Sequence, residues 1–115
     1  MIKINAVLQA SPLKTKKWRM VFHRKKELLE YTDFGAKGMS DFTLHQDEPR
    51  RQRFLNRFQK LIKANENDPS SAMTLSHLIL WNKPTLDASF QDYLKRFKMT
   101  GAIEITTPHN DGSNI

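Results

Sequence analysis

The sequence predicts an α+β domain in which an amino-terminal β-hairpin or small antiparallel sheet packs on about three helices. Three observations carry that expectation. Apolar and polar residues alternate through much of the first third of the chain, the period of half-buried strands. Later stretches repeat apolar residues at helical spacing, each behind a good capping residue. Finally, 115 residues without a cysteine suit one domain whose stability comes from a single packed core.

In residues 1–10, Ile2, Ile4, Ala6 and Leu8 alternate with Lys3, Asn5 and Gln9, with Val7 breaking the pattern. After Ser11-Pro12, Trp18, Met20 and Phe22 alternate with Arg19, Val21 and His23, which makes this basic run a strand with one apolar face. His23-Arg24-Lys25-Lys26 reads as a polar turn, and Glu27 to Phe34 as the returning strand. A single helix from Arg24 to Tyr31 is the rival reading. The aromatic and threonine content that follows, and the nearby glycines, weigh against it.

Asp47-Glu48-Pro49 is a helix start, with an aspartate to cap free amides, acid at the positive end of the dipole and proline in the first turn. On this helix Phe54, Phe58, Leu61 and Ile62 share one face, Arg50, Arg53, Arg57 and Lys60 form a separate stripe, and the end falls near Asn65. Asn65 to Ser71 is a loop by composition. Thr74 is the expected cap of a short helix, Leu75 to Trp81, and Thr85 of another in which Leu86, Phe90, Tyr93, Leu94 and Phe97 line one side. The core is expected to join Phe54, Phe58, Leu61, Leu78, Trp81, Phe90, Leu94 and Phe97. Residues 1–98 are read as one compact domain and 99–115 as a partly disordered tail, with Gly101 as a breaker and Ala102 to Thr107 able to add a strand.

Nineteen Lys plus Arg against twelve Asp plus Glu give a formal charge of +7, which favours nucleic acid, anionic lipid or an acidic protein surface as partner. Two cationic groups are candidates for that contact. One is the helical stripe Arg50, Arg53, Arg57 and Lys60; the other is the run Lys14, Lys16, Lys17, Arg19, Arg24, Lys25 and Lys26, which faces no acidic residue. No apolar run approaches a membrane span and the amino terminus lacks the arrangement of a signal peptide, so a soluble, intracellular protein is expected.

Phe34 to Arg57 joins a glycine-punctuated loop to the arginine helix. Gly35 and Gly38 admit backbone angles that a β-carbon forbids, while Asp41, His45 and Asp47 are polar groups beyond what a plain connection requires. Gly35-Ala36-Lys37-Gly38 has neither the Walker nor the dinucleotide pattern, and the next helix begins some residues later. Asp41, His45 and Asp47, with His23 or His77, are of the right types for a divalent metal but match no established spacing. The alternative is structural: an Asx turn at Asp41, local packing of His45 and a cap at Asp47. Arg51, within the apolar arc, either snorkels outward or pairs with Asp41 or Asp33 to clasp the loop. Trp18 and Trp81 are of the type that stacks on bases, but strand alternation and the apolar neighbours Leu78-Ile79-Leu80 favour the core. No nucleophile-elbow context occurs, so neither enzymatic activity nor a cofactor is expected.

Phe34-Gly35-x-x-Gly38-x-x-Asp41-Phe42-Thr43-x-His45-x-Asp47-x-x-Arg50, together with Leu80-Trp81-Asn82-Lys83-Pro84-Thr85-Leu86-x-x-Ser89, resembles an uncharacterised family of small basic proteins. Its members are encoded by large nucleocytoplasmic double-stranded DNA viruses, including those of algae and amoebae. The resemblance covers Lys17 to Phe97 and departs between Phe58 and Met73, where the family pattern has a histidine and a shorter, tryptophan-containing link. It implies a virion component, a minor capsid or cementing protein with capsid proteins as partners, present in host cytoplasm during assembly. A non-specific nucleic-acid-binding module of genome packaging is the alternative. The family implies no activity for any residue.

Overall fold

The computed structural model describes residues 3–104 and places them in an α+β domain with one mixed sheet and helices against it. Strands β1 (Ile4–Ala10), β2 (Lys16–Arg24) and β3 (Glu27–Ala36) pair antiparallel in succession, β1 with β2 and β2 with β3. A fourth strand, β4 (Thr100–Glu104), lies parallel to β1, giving the order β3-β2-β1-β4. The hairpin between β2 and β3 turns at Lys25-Lys26, with Lys25 at φ 57°.

Alternation decides the buried face. Ala6, Leu8, Met20, Phe22 and Phe34 project to one side and are almost fully buried. Their partners come from α3 (Ala72–Leu75), which continues directly into a wider π-helical turn at Ser76–Leu80, and from α4 (Leu86–Phe97). Leu75, Ile79, Phe90 and Tyr93 have no appreciable exposure. Burial pushes the Tyr93 phenol up, and its hydroxyl donates to the Pro69 carbonyl at 2.6 Å. Thr85 caps α4 as expected, accepting from the Ala88 amide.

Two expectations about elements need correction. The strand that Ala102 to Thr107 could add does form, but it begins at Thr100: Gly101 lies within it and faces Ala6 in the parallel register, and a β-carbon there would lie 2.0 Å from the Ala6 carbonyl oxygen. Gly101 is therefore a close-approach glycine rather than a breaker. Expectations for 105–115 lie outside the described residues. The short helix also starts earlier than Thr74. Ser71 caps it, accepting from Met73 and Thr74 amides, whereas the Thr74 hydroxyl turns back to the Asn65 carbonyl at 2.6 Å and closes the end of the preceding helix.

The larger difference is α2 (Glu48–Asn65). Its start and end fall as expected, with Asp47 accepting from the Arg50 amide, yet none of its 18 residues is buried. Phe54 and Phe58 are half-buried and Leu61 is 53% exposed. Of the eight residues expected in the core, Phe54, Phe58 and Leu61 stand outside it, while Trp81 and Phe97 pack on its margin. Trp18 also packs on that margin. The helix lies along the domain like a strut rather than within it.

Candidate interaction groove

The groove arises because a glycine-bearing strand end and α2 approach each other without closing. Strand β3 ends at Gly35-Ala36, where Gly35 takes φ +80°, and Gly38, three residues after Gly35, takes φ +90°. These left-handed angles turn the chain away from the sheet and into a short helix, α1 (Phe42–His45). Asp41 caps α1 through the Thr43 amide at 3.0 Å and the Thr43 hydroxyl, and its other oxygen takes the Lys17 ammonium. Gln46, at φ 51°, ends α1, and Asp47 at once starts α2. His45 accepts the Asp47 amide on Nδ1 at 2.8 Å, which places its proton on Nε2, a buried atom without a hydrogen-bond partner among the described residues. Its ring packs against Trp81, with centroids 5.4 Å apart.

Between this loop and α2 lies an open cavity of about 570 Å³. Phe54, Phe58 and Trp81 form one wall, Gly35, Ala36 and Met39 the other, and Arg50, Arg53 and Arg57 stand at the α2 side. The three arginines are exposed, and among the described residues none has an acidic partner. Met39 is 64% exposed. Asp41 is 2% exposed and spent on Lys17, so the depth of the cavity is electrostatically closed while its edge carries free positive charge.

The predicted cationic groups are thus partly joined and partly dispersed. Arg50, Arg53 and Arg57 converge on the groove, and Lys60 continues the stripe beyond it. Lys14 and Lys16 lie near the loop, since the Lys37 amide donates to Thr15 and Lys16 pairs with Ala36. Arg24, Lys25 and Lys26 occupy the opposite end of β2, about 23 Å from Lys17 at the usual strand rise. Nor is the run unopposed: Lys17 is held by Asp41, and Arg19 makes a two-pronged bond to Asp33 at 2.9 and 3.1 Å. Those bonds, with one from Ser11, hold the Asp33 carboxyl below its usual range, and Asp33 raises Arg19 in turn. The guanidinium of Arg19 also covers the Tyr31 ring at 3.9 Å.

Arg51 does not clasp the glycine loop. Its Nε donates to the Trp81 carbonyl and Nη1 to Glu48, each at 3.0 Å, because Asp41 and Asp33 are already engaged by β2. Hydrogen bonds from Gln52 and then Arg51 lower the Glu48 carboxyl. Among the described residues no three histidines or acids gather to hold a metal, and Asp41, His45 and Asp47 make the local bonds given above. Sequence reasoning assigned Phe54, Phe58 and Trp81 to the core and passed over Met39. The one signal for their role was the narrow apolar arc of α2, crowded by arginine on its flank.

A family of unknown function, DUF5754, matches residues 6–58, somewhat under half of the chain. That stretch takes in β1 from Ala6, all of β2 and β3, the glycine turn, Asp41 and the three groove arginines, and stops before Trp81. No curated protein and no solved structure matches the chain.

Proposed function

We propose that this protein is a non-enzymatic interaction protein that joins an anionic partner through the groove beside α2. The observation that carries the reading is the set of three exposed arginines, Arg50, Arg53 and Arg57, without an acidic partner among the described residues and mounted at the edge of a cavity with apolar walls. Their positions recur every three or four residues, so their stems leave α2 within about 10 Å of helix length, and guanidinium groups suit paired contact with carboxylates. The resemblance to small basic proteins of large DNA viruses supports a setting in the virus particle. There the protein acts as a minor capsid or cementing component.

A second reading, non-specific nucleic-acid binding in genome packaging, is favoured by Lys14, Lys16 and Lys37, which add positive charge near the loop side of the groove. One variant separates the two. With Arg50, Arg53 and Arg57 replaced by glutamine, loss of duplex binding and a salt slope flatter by about one unit for each lost phosphate contact support the nucleic-acid reading. A folded variant with unchanged duplex affinity that fails to join purified capsid shells supports the protein-partner reading. Wild-type protein that joins no shell and binds no duplex at low salt overturns both.

A further inference from the structure

The groove sorts polarity by depth, and that sorting describes its occupant more closely than charge alone. Leu80 lies at the bottom and is 3% exposed, the rings of Phe54, Phe58 and Trp81 are half-buried above it, and Arg50, Arg53 and Arg57 are exposed at the edge. The deepest charged groups are Asp41 and Lys17, which satisfy each other. An anion driven deep would meet the Asp41 carboxylate and an apolar wall, while one at the edge would meet three exposed guanidinium groups. Negative charge therefore belongs at the edge and an apolar group inside.

We infer that the groove takes an acidic segment of a partner protein that inserts one bulky apolar side chain between Met39 and Phe58 while its carboxylates engage Arg50, Arg53 and Arg57. This rests on the interaction reading above and names the chemistry of its partner. The volume of about 570 Å³ is ample for one large side chain and its flanking backbone. Met39, exposed and unbranched, is an adaptable lip for such a group.

Two other occupants fit less well. Nucleic-acid bases need free ring faces, and here one face each of Phe54 and Trp81 is taken by their mutual stack at 4.6 Å and 6°, while Phe58 leans on Phe54 at 4.9 Å with Arg57 5.3 Å from its centre. A second copy of this chain offers Glu27, Leu28, Glu30 and Tyr31, exposed on strand β3, and among the described residues neither glutamate is ion-paired. That segment follows Arg24, Lys25 and Lys26, cations that would meet the groove arginines with like sign.

The test uses the full chain and three fluorescent probes: a short polyglutamate peptide with one central leucine, the same peptide with alanine in that place, and an oligothymidylate of equal charge. Anisotropy at moderate salt should show the leucine peptide binding about tenfold or more tighter than its alanine analogue. Met39→Ser, an exposed change that leaves folding intact, should shrink that ratio without altering the alanine peptide's affinity. Substituting glutamine for the three arginines should weaken both peptides. Equal affinities of the two peptides overturn the anchored-segment inference and leave the interaction reading standing. Binding of oligothymidylate alone overturns it in favour of nucleic acid, and no binding by any probe removes both readings.

Discussion

The Phe54 ring lies parallel to the Trp81 ring, 4.6 Å away and tilted by only 6°, and this pair ties α2 to the segment that follows the π-helical turn. Arg51 supports it by donating to the carbonyl of the same Trp81. Phe54→Ala should cost about 1–3 kcal/mol, the value of a partly buried aromatic pair. It should also raise amide exchange in α2 well above that in β1 and β2, since the helix loses its anchor while the sheet keeps its core. Amide exchange in α2 as slow as in the wild type would show that the helix is held by something else.

Phe90 and Phe58 looked alike in the sequence but should respond differently. Phe90 is fully buried beneath the sheet, so Phe90→Ala should cost about 3–5 kcal/mol. Phe58, half-exposed at the groove, should cost about 1 kcal/mol when truncated. Denaturant midpoints of the two variants measure the gap, and equal losses would place Phe58 in the core after all.

Glycine substitutions should separate close approach from backbone angle. Gly101→Ala forces a β-carbon against the Ala6 carbonyl and toward Phe90, so the β1–β4 pairing must part. The expected result is a lower melting temperature together with lost exchange protection in β4. Gly38→Ala meets nothing within 4 Å and suffers only its φ of +90°, a cost of about 1–2 kcal/mol. A Gly101 variant as stable as the Gly38 variant would contradict the tight register.

Stability should fall on mild acidification because of His77. Burial, with Arg96 and Arg51 nearby, lowers its pKa below the ordinary 6.5. The unfolded chain therefore takes up the proton first. The stabilisation is present above about pH 6.5 and is lost as pH falls from there towards the folded value. Urea midpoints between pH 7 and pH 5 should drop less for His77→Gln than for the wild type. Parallel pH curves for the two proteins would exclude His77 as the source.

Local chemistry was legible in the sequence wherever its partners lie a few residues apart. The alternation around Met20 and Phe22 marked a strand, Asp47 and Thr85 capped the helices they precede, and Gly35 and Gly38 adopted the left-handed angles that glycine invites. Thr74 misled because Ser71 offers the same capping chemistry three residues earlier, and only the return of the Thr74 hydroxyl to Asn65 decided between them.

By itself the sequence determined the α+β class, the bounds of α2 and α4, the apolar side of each element and the excess of positive charge. Tertiary structure alone decided what those sides meet. Periodicity shows that Phe54 and Phe58 share a face flanked by the Arg50, Arg53 and Arg57 stripe, but not that this face borders a groove instead of the core. Charge counting shows an unopposed basic run, but not that Asp41 and Asp33, each at least 14 positions away, neutralise Lys17 and Arg19. The parallel pairing of β4 with β1 joins Asn5 to Thr100, 95 positions apart, with a hydroxyl-to-amide bond of 3.1 Å. Such contacts depend on how the whole chain closes on its core, and residue order encodes them only through the packing of every element between them.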